Sequence, residues 1–407
     1  MVALSPLCQV FLFETFLYGI SSRFNSSLRT ARHKILNEIE NTFSLHKFEI
    51  TFDFYHNLTE MESPTMNMFN WMEQVTYTEK KKPLPILTFP AIQYLYVTVR
   101  ELVADSSLMA MGMRLIADNY DMPAALSYMD LSVEAEAFGA YTVYGADEVP
   151  TIIGRLISDE KDADGLRIPE IGAGRTGVNI EAIKKAKILI KDRPVISQCT
   201  GPFSLAGRLM NVNDIMLHCY ESPEMVHTVL RKVTDFLIAY VTELKSAGAD
   251  GVMIAEPLAG LLSPGLIREF STEYVREIVD TLQDKHFLVM YHNCGSAVAH
   301  LMNEIVDTGC YVFHFGDSVA MLKMLETVPR NLLVMGNISP AKVFNGSSEE
   351  HVRLETLKLL RTCGKYNNFV LSSGCDISPK VNLDNVDSFF HASESFYYRL
   401  SLSNMIS

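Results

Sequence analysis

The sequence predicts an α/β chain folded as a (β/α)8 barrel, and two features carry that expectation. Eight apolar, β-branched runs recur from about residue 85 onward, and amphipathic helical segments separate them. A doubly wound open sheet would use the same alternation. No glycine-rich phosphate-binding turn follows the first run, which weighs against a nucleotide-binding version of that rival.

The runs are Pro85–Ala91, Ser127–Ser132, Pro194–Thr200, Asp250–Glu256, Phe287–Asn293, Cys310–Phe315, Asn331–Asn337 and Phe369–Gly374. Each is almost continuously apolar, as parallel strands covered on both faces must be. Helix signals fall between them. Ser222 can cap a helix with Pro223 in its first turn, and Gly248 stops it. Ser263 and Pro264 open another. Ser347 or Ser348 opens a third, with Glu349 and Glu350 at the positive end of its dipole and Gly364 at its close. The stretch from Gly139 to Arg193 is too long for a plain crossover, and its run from Gly172 to Gly177 reads as a flexible loop. Residues 1–60 are rich in Phe, Ser and Asn and show little periodicity beyond a helix candidate at Arg29–Phe43. They are expected to lie outside the functional domain, which spans residues 61–407. A start assigned too far upstream would account for them.

Composition narrows the function. The chain has 407 residues, 48% hydrophobic and 20% charged, enough for a large core. Its net charge of -13 argues against a nucleic-acid partner, which needs clustered Lys and Arg. Seven widely spaced cysteines, an odd number, point to reduced thiols and a cytoplasmic location. Leu7 to Ile20 contains Glu14 and has no basic residue before it, so it fails as a signal peptide, and it is too short to span a bilayer. No membrane association is expected.

Three side chains suggest chemistry. His292 lies at the end of the fifth run of the eight with Cys294 just beyond it, and Cys375 follows the last. The ends of parallel strands meet on one face of a barrel, where active sites are built. Residues two apart on a strand point to the same side, so His292 and Cys294 can act together. One imidazole and two thiolates fit zinc with a fourth position left open, the catalytic pattern. The bland alternative is three packed core residues, and spacing alone does not exclude it. Gly295 and Gly374 beside the ligands favour the site, because glycine lets backbone turn sharply or approach closely. Glu256 ends the preceding run and adds a carboxylate, either as a further zinc ligand that a substrate displaces or as a catalytic group. Two cysteinates offset the zinc charge, so a substrate thiol bound there stays electron-rich. That favours alkyl transfer to sulfur over hydrolysis.

Several segments resemble one family. Tyr128 to Glu136, Asp147 to Thr151, Thr200 to Ala206 and Met335 to Pro340 are similar to the uroporphyrinogen decarboxylase superfamily. The pattern of His292, Cys294 and distant Cys375 is similar to its zinc-dependent corrinoid methyltransferase branch, the methylcobamide:coenzyme M methyltransferases. The resemblance covers roughly residues 83–400. It implies a distorted (β/α)8 TIM barrel, a Zn2+ cofactor, and methyl transfer from a methylated corrinoid (methylcobalamin) presented by a partner corrinoid protein. The acceptor it implies is a small thiol such as coenzyme M. Asp130 matches the decarboxylases' active-site Asp and is expected to orient a ligand or a nearby polar group. Asn337 is expected to face the same mouth as a cofactor contact. Decarboxylases also carry an Arg-rich segment after the first strand, whereas Leu87 to Gln93 has no arginine and lacks that clamp for substrate carboxylates. Decarboxylation is therefore the second reading, and a non-catalytic barrel that binds a corrinoid protein or a thiol is the third.

Overall fold

The computed structural model describes residues 66–406. The expected extension at residues 1–60, with its helix candidate Arg29–Phe43, lies outside them. A curled parallel sheet forms the centre, built from β1 (Ala125–Leu126), β4 (Val195–Thr200), β5 (Gly251–Ala255), β6 (Leu288–Asn293), β7 (Val312–Phe315), β8 (Leu333–Ile338) and β9 (Phe369–Ser373). Its order is β1-β4-β5-β6-β7-β8-β9. β2 (Thr142–Val143) and β3 (Thr151–Ile152) form a separate antiparallel hairpin. Nearly every residue of β4 to β9 is buried, the burial that their unbroken apolar runs require. The result is a distorted (β/α)8 barrel.

Two of the eight expected strands differ. Residues 85–91 are not a strand. Leu84 N donates to Leu371 O (2.9 Å) and Ile86 N to Ser373 Oγ (3.0 Å), so the segment runs along β9 through only two donors. Pro83, Pro85 and Pro90 explain this, since proline brings no N–H to a ladder. The second strand is short and sits earlier, at Ala125–Leu126 instead of Ser127–Ser132. Asp130 Oδ1 accepts from Ser132 N (3.0 Å) and Ser132 Oγ (2.6 Å), which turns the chain into the helix Val133–Ala137 before a longer ladder can form.

The helix signals fare better. Pro223–Ser246 begins after Ser222, buries Val226, Val229, Val233 and Leu237 along one face, and ends before Gly248, whose φ is +104°. Ser263 caps Pro264–Ile267 by accepting from Leu266 N (3.4 Å). Ser348, one of the two candidates, caps Glu349–Cys363 by accepting from His351 N (3.3 Å). Among the described residues no helix is long and apolar enough to cross a membrane.

Candidate metal centre

β6 delivers His292 into the barrel interior and then turns. Asn293 shapes that turn: its Oδ1 accepts from Gly295 N (2.9 Å), while its Nδ2 donates to Glu256 O (2.6 Å). Cys294 follows immediately. Cys375 arrives from the loop after β9. The donor atoms of His292, Cys294 and Cys375 all lie within 4.8 Å of one another, and Cys375 Sγ is 3.8 Å from His292 Nε2. Donor atoms on a tetrahedral zinc stand about 3.5–3.8 Å apart, from bonds of about 2.0 Å to nitrogen and 2.3 Å to sulfur. The set therefore fits that ion with only a small contraction.

Glycines allow the loops to meet. A Cβ on Gly316 would stand 2.5 Å from Cys294 Cα, and one on Gly374 would stand 2.6 Å from Asp317 N. Asn337 holds the loop between them. Its amide donates to Gly316 O (2.9 Å) and Val319 O (2.8 Å), so the side chain expected to face a cofactor has both amide protons on backbone.

His292 is fully buried, whereas the two cysteines are half-buried. Cys294 is held well below the ordinary thiol range by the S–H it receives from Cys375 and by the nearby imidazole of His292, against the opposing effect of burial. Cys375 is pushed up, first by donating to Cys294 and then by burial. Behind His292 stands His314, directly opposite it in the β6–β7 register. The two Nδ1 atoms are 2.7 Å apart, and His314 Nε2 lies 2.9 Å from Ser372 Oγ, which donates to Leu84 O (2.7 Å).

Glu256 stands apart from this set. Its carboxylate accepts from Phe203 N (2.8 Å), Ser204 N (3.2 Å) and Ser204 Oγ (3.0 Å) at the start of the helix Pro202–Met210. Any Cβ at position 201 would collide with the Glu256 side chain, so Gly201 makes this arrangement possible. Burial nevertheless pushes the Glu256 pKa up to about 8 against those donors. Asp130 is likewise engaged. Arg175 Nη1 bonds its Oδ2, and Arg175 Nε also donates to Glu136 Oε2 (2.7 Å).

Sequence reasoning missed three groups here. Arg175 lies in the glycine-rich run expected to be a loose loop. That run instead turns at Gly172 and Gly174, both with positive φ, and delivers Arg175 to Asp130. Its being the only charged residue in the run was the available signal. Glu134 reads as an ordinary first-turn acid, yet it is buried, accepts from Thr200 Oγ1 (2.9 Å), and is pushed by burial up to about 7. His314 carries no mark beyond an imidazole inside an apolar run.

Residues 90–396 match the uroporphyrinogen decarboxylase (URO-D) family, and the chain belongs to it. Its relatives carry two kinds of name. A uroporphyrinogen decarboxylase of Psychromonas ingrahamii is 26% identical over 67% of this chain and 78% of the relative. The methylcobamide:CoM methyltransferase MtbA of Methanosarcina acetivorans is 26% identical over 66% of this chain and 78% of the relative. Among solved structures, a methyltransferase from Methanosarcina mazei superposes with a TM-score of 0.71 at 22% identity, covering 82% of this chain and 99% of that one, which shows a shared fold.

Proposed function

We propose that the protein is a zinc-dependent methyltransferase that moves a methyl group from a methylated corrinoid, carried by a separate corrinoid protein, to a thiol such as coenzyme M. The observation that carries this reading is the convergence of His292 Nε2, Cys294 Sγ and Cys375 Sγ at the end of the barrel where its strands finish. These three residues would hold the ion. When bound, zinc with two cysteinate ligands keeps an entering thiol as an electron-rich thiolate at neutral pH. The remaining residues position that centre. Asn337 braces the 316–319 loop against Cys294. Glu256 organises the turn at Gly201 beside β5 through the donors at Phe203 and Ser204. Asp130 and Arg175 fix the wall formed by the end of β1 and the start of the helix Thr176–Leu189.

Relatives named as decarboxylases match equally well, so that activity is the second reading. Against it, the Arg175 guanidinium is balanced by both Asp130 and Glu136, which leaves it a poor clamp for substrate carboxylates. Metal analysis of the purified protein, paired with assay of methylcobalamin against a panel of thiols, tests the proposal. Near-stoichiometric zinc, lost in a Cys294→Ala/Cys375→Ala variant together with thiol methylation, supports it. Conversion of uroporphyrinogen to coproporphyrinogen by metal-free protein would decide for the decarboxylase.

A further inference from the structure

His314 lies outside the donor set and is fully buried, yet it touches His292. We infer that His314 is a positioning residue: it fixes the His292 tautomer so that Nε2 is the bare, metal-facing nitrogen. This rests on the metal reading of the site.

The hydrogen-bond directions follow from the far end of the chain of contacts. The Leu84 carbonyl can only accept, so Ser372 gives it the hydroxyl proton across 2.7 Å. Ser372 Oγ then acts as acceptor toward His314, and the proton in that 2.9 Å contact sits on His314 Nε2. A buried imidazolium whose ring nitrogens meet an imidazole and a hydroxyl would carry an uncompensated charge, which is costly. His314 therefore holds one proton and its Nδ1 is bare. Two bare nitrogens cannot face each other at 2.7 Å, so His292 Nδ1 supplies the proton between them. That leaves His292 Nε2, 3.8 Å from Cys375 Sγ, as the ring nitrogen that faces the donor set and is free to bind a metal.

Metal-ligating histidines commonly donate their second N–H to a carboxylate, a carbonyl or water. A neutral imidazole in that place holds the ring as firmly but adds no negative charge. The charge of the centre is then set by its two thiolates alone, which keeps a bound thiol from being repelled by a third anion.

The test combines two measurements on the full chain. In metal-free protein labelled with 15N-histidine, nitrogen resonances, assigned by single histidine variants, report which ring atoms carry protons. The expected pattern is a proton on His292 Nδ1 and on His314 Nε2. Competition with a chelator then gives zinc affinity for the wild type, His314→Leu and His314→Gln. His314→Leu should bind zinc about 10- to 100-fold more weakly. His314→Gln, whose amide can both accept from His292 and donate to Ser372, should recover most of the loss. A proton on His314 Nδ1, or a folded His314→Leu with wild-type zinc affinity, overturns the inference. If His314→Leu does not fold, the resonances and the His314→Gln affinity still decide. Wild-type protein that shows the expected protons but takes up no zinc upholds the tautomer assignment and overturns the metal reading instead.

Discussion

At the residue scale, burial sets the chemistry of single groups. Glu256 is wholly buried, and its pKa rises from the ordinary 4.5 to about 8. An acid whose pKa is raised on folding stabilises the native state below its unfolded pKa, and loses that contribution as pH climbs to the folded value. The window is therefore about pH 4.5 to 8. Glu256→Gln stays neutral throughout, so the wild type should lose stability relative to this variant across that window. The slope should approach roughly 1.4 kcal/mol per pH unit, read from denaturant unfolding at a series of pH values. A constant difference would contradict the assignment. Asp130 gives a second prediction. Its partner Arg175 is almost wholly buried and keeps only the Glu136 carboxylate once Asp130 is gone, so Asp130→Ala should cost about 2 kcal/mol in the same assay, the worth of a hydrogen bond to a charged group. The three candidate metal ligands were legible in the sequence because each stands at the end of an apolar run beside a glycine or asparagine turn. Arg175 was not, since nothing local in a glycine-rich turn reveals which distant carboxylate it meets.

At the scale of elements, loop contacts decide whether the ligands converge. Position 316 has no room for a side chain against Cys294, so Gly316→Ala must push the two loops apart. It should lower zinc occupancy of the purified protein while leaving the far-UV circular dichroism of the barrel unchanged. Occupancy equal to wild type would count against this packing. Helix termini behave more simply. Ser348→Ala removes the cap of Glu349–Cys363 and should cost about 1 kcal/mol in unfolding free energy, with no effect on zinc. Helix caps were readable from sequence because the capping residue and the helix it opens are neighbours in the chain. The first strand was not, although its prolines were in plain view. The apolar pattern of 85–91 satisfies burial, and proline removes only the donors that a ladder needs. Extended backbone and a hydrogen-bonded strand look alike in a hydrophobicity pattern.

At the scale of the whole molecule, parallel strands gather residues far apart in sequence onto one face. His292 and Cys375 are brought together across the width of the sheet, β6 to β9. This is why an alternating pattern of runs and helices was enough to bring the candidate metal ligands to one mouth before any distance was known. We propose that the functional unit is the segment 61–407, with the family match at residues 90–396 inside it. Metal binding should be coupled to the stability of this unit, because the folded site alone brings the three donors together. Stripping zinc with a chelator should lower the thermal midpoint, and returning zinc should restore it. The most direct test of the account is zinc-edge X-ray absorption of the purified protein with and without an acceptor thiol. Two sulfurs, one imidazole nitrogen and one light atom are predicted for the protein alone, with a third sulfur replacing the light atom when thiol is added. A zinc shell without sulfur, or one that thiol leaves unchanged, would contradict it.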